Sequence, residues 1–212
     1  MEKRTARILE IMNLAPVIPV VTIHDVVQGV ELARALVRGG LPTIEVTLRT
    51  EAAMPALKAI ASDVEGAVVG AGTVLSPALL EQSVMAGAKF LVSPGGSQEL
   101  LDAASKTDTP LLPGVATPSE AMGLGEMGYN ALKFFPAEQA GGASYLKAIS
   151  APLPQFTFCP TGGVTPQNAQ AYLRLPNVAC VGGSWVAPKD LVAAGEWDRI
   201  TDLAREAASL QQ

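Results

Sequence analysis

The chain has 212 residues, 49% of them hydrophobic and 17% charged, with 20 glycines, 16 prolines and a net charge of −5. That composition excludes a disordered chain and suits a globular α/β protein that turns often and buries a sizeable core. The acidic balance offers no footprint for nucleic acid or for an anionic membrane surface, although a local pocket can still take a small anion.

Residues 1–7 are largely polar and lead into an apolar stretch broken by Asn13, Pro16 and Pro19, so no secretory signal core is expected. No apolar run approaches the roughly 20 residues that a membrane-spanning helix needs. The expectation is a soluble, cytoplasmic protein. Ile8, Leu9, Ile11 and Met12 mark an amphipathic helix ahead of the first strand. Strand-like apolar runs then fall at 17–22, 43–48, 67–71, 89–93, 110–113, 131–135, 156–160 and 178–181, starting about every 21 to 26 residues.

Helix-compatible segments separate these runs. Gly39-Gly40, Gly87 and Gly128 stand where a helix needs a residue at positive φ to stop. Ser76-Pro77, Thr117-Pro118 and Thr165-Pro166 each offer a hydroxyl N-cap followed by proline at the first helical position. Trp197, Ile200, Leu203, Ala204 and Ala207 mark the last helix. Such repeated βα units predict a (β/α)8 TIM barrel, one domain over residues 1–212, with the N-terminal helix as its cap. A doubly wound open sheet is the alternative. Against it, Thr22-Ile23-His24-Asp25 stands where a glycine-rich dinucleotide fingerprint would follow the first strand. Cys159 and Cys180 lie within or beside apolar runs and read as small core residues, not as a disulfide or a metal pair.

In a barrel enzyme the chemistry gathers at the C-terminal ends of the strands, and few polar residues fall there. Lys133 sits inside the apolar run Ala131-Leu132-Lys133-Phe134-Phe135. It reads either as a snorkelling lysine or as an amine held in a dry pocket against Phe134 and Phe135 to attack a carbonyl. In Thr43-Ile44-Glu45-Val46-Thr47-Leu48-Arg49, period-2 alternation turns Glu45 and, if the strand persists, Arg49 toward the interior beside that amine. The bland reading of these charges is an internal ion pair. Thr73 ends the third strand, and Gly162-Gly163 and Gly182-Gly183-Ser184 follow the seventh and eighth, where backbone N–H groups often cradle a phosphate. The only histidine, His24, has no second imidazole in the chain to join it as a metal ligand, and reads as a surface or capping residue. Imine chemistry at Lys133 therefore comes forward. Glu45 would shuttle protons and Arg49 would hold a carboxylate.

Taken together, Glu45-Val46-Thr47-Leu48-Arg49-Thr50, Gly70-Ala71-Gly72-Thr73-Val74-Leu75, Lys133-Phe134-Phe135-Pro136-Ala137-Glu138, Phe158-Cys159-Pro160-Thr161-Gly162-Gly163 and Gly182-Gly183-Ser184-Trp185 resemble the bacterial 2-dehydro-3-deoxy-phosphogluconate aldolases. The resemblance runs from Pro16 to the last helix. It implies a lyase on a (β/α)8 barrel, a class I aldolase that forms a Schiff base and needs no metal or other cofactor. It also implies a homotrimer that splits 2-dehydro-3-deoxy-6-phosphogluconate into pyruvate and glyceraldehyde 3-phosphate in the Entner-Doudoroff pathway. Many members also cleave 4-hydroxy-2-oxoglutarate to pyruvate and glyoxylate. Residue by residue, the resemblance implies Lys133 as the Schiff-base lysine and Glu45 as the proton shuttle. Arg49 and Thr73 match the substrate carboxylate positions and Thr161 the position beside the substrate chain. Gly162, Gly163, Gly183 and Ser184 match those around the phosphate. One departure is Gly96-Ser97, where relatives usually carry a larger apolar residue and a threonine. It bears on substrate preference, not on the reaction. The rival classes are a phosphosugar isomerase or epimerase on the same fold and a non-catalytic phosphate-binding barrel in which Lys133 merely pairs with Glu45.

Overall fold

A computed structural model describes residues 2–210, so Met1, Gln211 and Gln212 of the expected 1–212 unit lie outside the described residues. The strands are β1 (Val17–Val21), β2 (Thr43–Thr47), β3 (Val68–Gly72), β4 (Leu91–Val92), β5 (Leu111–Leu112), β6 (Gly114–Val115), β7 (Ala131–Phe134), β8 (Thr157–Pro160) and β9 (Val181–Gly183). The helices are α1 (Glu2–Met12), α2 (Val26–Arg38), α3 (Ala53–Asp63), α4 (Pro77–Met85), α5 (Gln98–Ala104), α6 (Pro118–Glu126), α7 (Gly142–Ile149), α8 (Pro166–Leu173), α9 (Lys189–Ala194) and α10 (Trp197–Ala208). Among the described residues no helix is long and apolar enough to cross a membrane.

The fold is α/β with a curled parallel sheet. The ladders fall into a six-stranded piece, β5-β4-β3-β2-β1-β9, and a three-stranded piece, β6-β7-β8, instead of the single ring of eight expected from the sequence. Pro113 lies at one break. It has no N–H to give the ladder, so the chain pairs with β4 through Leu111 and Leu112, and with β7 from Gly114 onward. At the other break β8 and β9 meet only through the isolated bridges Phe158 with Val178 and Thr161 with Gly182.

Two apolar clusters follow from the period of two. Ile44, Val46, Leu132 and Phe134 face outward into the cluster shared with the helices. Ile18, Phe90, Val92, Leu112, Ala131, Cys159 and Cys180 face inward, into a second cluster with Ile8, Ile11 and Met12 of α1. Residues Ile8, Ile11 and Met12 of that helix pack on the enclosed core, and the Thr43 hydroxyl donates to the Ile11 carbonyl at 3.3 Å. Both cysteines are free and buried; the neighbouring Cys159 thiol and burial together push the Cys180 thiol well up.

The helix punctuation follows the sequence. Gly40, Gly87 and Gly128 take φ of 91°, 98° and 84° at the ends of α2, α4 and α6. Ser76 Oγ accepts from Leu79 N at 3.3 Å, and Thr117 with Glu120 forms a capping box on α6. The last strand departs from expectation. It spans Val181–Gly183, not 178–181, because Val181, Gly182 and Gly183 pair with Val17, Ile18 and Pro19 of β1. Gly182 and Gly183 are therefore strand residues rather than a loop after it. A Cβ on Gly182 would strike the Thr161 side chain, and one on Gly183 would strike the Trp185 ring.

Candidate active site

Glu45 on β2 and Lys133 on β7 both point into the enclosed side of the sheet, because their neighbours Ile44, Val46, Leu132 and Phe134 pack outward. Their side chains meet there. Lys133 Nζ lies 3.1 Å from Glu45 Oε1 and 3.4 Å from Oε2, with side-chain exposures of only 6% and 4%. Isolating such charges from water costs several kcal/mol each, which the mutual contact offsets. The Phe135 ring flanks the ammonium, its centroid 5.4 Å from Nζ. Phe134 does not share that pocket. It stacks on Tyr145 at 5.4 Å on the helix side, so only one of the two aromatic neighbours expected beside the lysine is there.

Gly72 fixes where the carboxylate lies. A Cβ on Gly72 would come 2.6 Å from Glu45 Cγ and 2.8 Å from Cδ, so the acid rests against bare backbone. Gly72→Ala is expected to push the carboxylate off Lys133 and lower turnover on the order of 10-fold, short of the roughly 100-fold that a 1 Å misplacement can cost. Steady-state rates beside a melting curve would check this, and wild-type turnover in a folded variant would refute the packing argument.

Arg49 lies on the rim, not beside the amine. The strand ends at Thr47, Arg49 N turns back onto the Thr47 carbonyl at 2.8 Å, and the exposed side chain donates from Nε to Thr73 Oγ1 at 3.1 Å. Thr73 is held at φ 61°, a conformation that costs a β-branched residue on the order of 1–3 kcal/mol. The structure thus brings Arg49 and Thr73 together, one strand-end above Glu45.

Thr161 is buried, its N–H donating to Phe134 O at 2.9 Å and its carbonyl accepting from Ala137 N at 2.8 Å. Its strand neighbour Cys159 is the register partner of Lys133, which sets the hydroxyl one step along from the amine. Gly162 and Gly163 follow at φ 100° and 77°, values that only glycine adopts without strain. Among the described residues the backbone N–H groups of Gly163 and Ser184 find no protein acceptor, whereas Gly162 adjoins the bridge between Thr161 and Gly182. Ser184 is exposed.

Two hollows flank this mouth. One of about 550 Å³ runs along Pro94, Gly95, Gly96, Gly114 and Val115 to Phe135, the ring against the amine. Gly96 leaves room there: a Cβ would come within 3.2 Å of Leu124, and a larger apolar side chain would narrow the hollow further. Ser97 caps α5, accepting from Leu100 N at 3.3 Å, which is the task a threonine would perform. The other hollow, about 470 Å³, is lined by Val20, His24, Gln28, Ser184 and Lys189 and includes neither Lys133 nor Glu45. His24 is exposed, and its neighbour Asp25 caps α2 by accepting from Gln28 N at 2.8 Å. Among the described residues no three of His, Cys, Asp and Glu gather as a metal group.

Behind the glycine loop lies a contact that no local sequence pattern signals. The Tyr172 hydroxyl on α8 donates to Glu138 Oε1, and burial and that carboxylate hold the phenol well above the usual tyrosine range, so it stays a donor.

A family model for KDPG and KHG aldolases matches residues 8–203. The chain belongs to this family. It is 50% identical over 200 residues to the 2-dehydro-3-deoxy-phosphogluconate aldolase of Pseudoalteromonas atlantica, covering 94% of this chain and 93% of that protein. It is 50% identical over 197 residues to the KHG/KDPG aldolase of Escherichia coli, covering 93% and 92%. A crystal structure of the KDPG aldolase from Legionella pneumophila, with pyruvate captured at low pH as a covalent carbinolamine intermediate, matches with a TM-score of 0.93. Identity to it is 47%, over 95% of this chain and 98% of that one. The KDPG and KHG aldolase membership bears out the resemblance carried by the motifs around Glu45, Gly72, Lys133 and Thr161.

Proposed function

We propose that this chain is a class I aldolase, a lyase that cleaves 2-dehydro-3-deoxy-6-phosphogluconate to pyruvate and glyceraldehyde 3-phosphate through an imine on Lys133, and that also cleaves 4-hydroxy-2-oxoglutarate. The observation that carries this reading is the buried 3.1 Å contact between Lys133 Nζ and the Glu45 carboxylate, in a chain of this family. A proton passed across that contact leaves a neutral amine and a neutral acid. The lone pair of Nζ attacks C2 of the 2-oxo acid, and loss of water gives the protonated imine. Glu45, again a carboxylate, takes the proton of the C4 hydroxyl, directly or through a water. The C3–C4 bond then breaks, its electrons pass into the imine to leave an enamine, and the aldehyde departs. Protonation of C3 and hydrolysis of the imine release pyruvate and return the amine.

Arg49 with Thr73 holds the substrate carboxylate at the rim, where the guanidinium and hydroxyl are already paired. Thr161 lies beside the substrate chain, and the N–H groups of Gly162 and Gly163, with Gly183 and Ser184, take the phosphate. Gly183 acts there by backbone shape, since it has no side chain and sits in β9. The chemistry needs no metal or other cofactor. A single domain with a complete (β/α)8 barrel is the architecture we infer; Pro113 joining β5 to β6 and the bridges from β8 to β9 support it. A homotrimer in the cytoplasm completes the reading, on the strength of the family resemblance. A coupled assay for pyruvate release from each of the two substrates tests it: release from both is expected, and release from neither would overturn it.

A further inference from the structure

Resting on the assignment of the phosphate loop above, we propose that Tyr172 and Glu138 are positioning residues for that loop. The tyrosine restrains a carboxylate that would otherwise compete with the substrate phosphate. Glu138 ends the segment that leaves β7, and the backbone there is tied to the loop twice: Ala137 N donates to Thr161 O at 2.8 Å, and Glu138 N to Gly162 O at 3.1 Å. The side chain then crosses Gly163, where a Cβ would stand 2.7 Å from both Glu138 Cβ and Cγ. The stem of an acid thus packs directly on an anion-binding turn, with its carboxylate close by. Unrestrained, it would repel a phosphate at short range.

Tyr172 supplies the restraint. Its ring is fully buried, so the hydroxyl has one place to go, and it donates to Glu138 Oε1 on the side of Gly142. From the same helix Asn168 Nδ2 donates to the Gly163 carbonyl at 3.1 Å, and Asn168 Oδ1 accepts from Thr165 N at 2.7 Å. Helix α8 therefore holds the loop by its carbonyl from its first turn and holds the neighbouring acid aside from its last, leaving the N–H of Gly163 facing the loop mouth. The pair has no contact with Lys133 or Glu45, so it acts on the phosphorylated end of the substrate and not on imine formation.

Tyr172→Phe deletes one oxygen atom and frees the carboxylate. In the full-length chain it is expected to raise KM for the phosphorylated substrate about 10-fold, the effect of a single lost interaction of ~1.4 kcal/mol. Competitive inhibition by inorganic phosphate should weaken in step. Borohydride trapping with pyruvate, which involves no phosphate, should run at the wild-type rate, and the melting temperature should hold. Adding Glu138→Gln to Tyr172→Phe removes the freed charge and is expected to bring KM back toward wild type. An unchanged KM in Tyr172→Phe, a parallel loss of trapping or melting temperature, or a double variant no better than the single would each overturn the proposal. Phosphate inhibition of the wild type separates this from failure of the loop assignment itself. If inorganic phosphate does not compete with the substrate in the wild type, the loop is misassigned and both fall; if it competes equally well in the wild type and in Tyr172→Phe, only the positioning role falls.

Discussion

Lys133→Met is expected to lower aldol cleavage by at least about 10⁴-fold, the scale on which removal of a covalent nucleophile acts. Methionine fills most of the space of the lysine stem and keeps the outward packing of Leu132 and Phe134. It cannot form an imine, so no electron sink remains for the breaking C3–C4 bond. The same substitution strands Glu45 in a site where its side chain is only 4% exposed. Breaking a buried ion pair by removing one partner costs about 3–5 kcal/mol, so the variant should melt earlier than wild type. Adding Glu45→Gln should recover much of that loss without recovering activity. A single variant that melts early yet cleaves substrate at a tenth of the wild-type rate would contradict the assignment of Lys133.

Glu45→Gln separates binding from proton transfer. The amide keeps the size of the carboxylate and can still accept from Lys133 Nζ, so trapping of pyruvate should persist. Without a group to take the hydroxyl proton and return one to the enamine, turnover should fall by about 100- to 10,000-fold, the range for a lost general acid-base residue. The split is diagnostic: imine formation that still goes to completion, slowed because no carboxylate takes the amine's proton, followed by a much slower release of the aldehyde. Normal cleavage by Glu45→Gln would move the proton-shuttle role to another residue. Equal loss of trapping and cleavage would mean that Glu45 only prepares the amine.

How much of this could be read from the chain differs by kind of information. Lysine in the middle of Ala131-Leu132-Lys133-Phe134 announced itself because an apolar run has no structural use for an ammonium, and the alternation along β2 placed Glu45 on the same enclosed side. The helix caps at Ser76 and Thr117 were equally legible, since they depend on residues three apart. Contacts between strands were not. Period-2 alternation puts Phe134 and Phe135 on opposite sides, so only Phe135 flanks Nζ, although the apolar run by itself suggests both aromatics beside the amine. Arg49 would face inward only if β2 persisted that far, and the backbone turns at Thr47 and leaves it on the rim. Gly72, Gly182 and Gly183 look like turn glycines in sequence. Their reason is a side chain from elsewhere lying on them, Glu45, Thr161 and Trp185 respectively, which no local pattern encodes. The contact of Tyr172 with Glu138, 34 positions apart, was invisible for the same reason.

The most direct measurement is to incubate the protein with pyruvate and borohydride, digest it, and locate the modified peptide by mass spectrometry. A stable carboxyethyl group is expected on the nitrogen of Lys133, formed to completion in wild type and in Glu45→Gln and absent in Lys133→Met. No adduct in wild type, or an adduct that persists in Lys133→Met, would mean that the buried contact with Glu45 is an ion pair of the core and not the site of an imine.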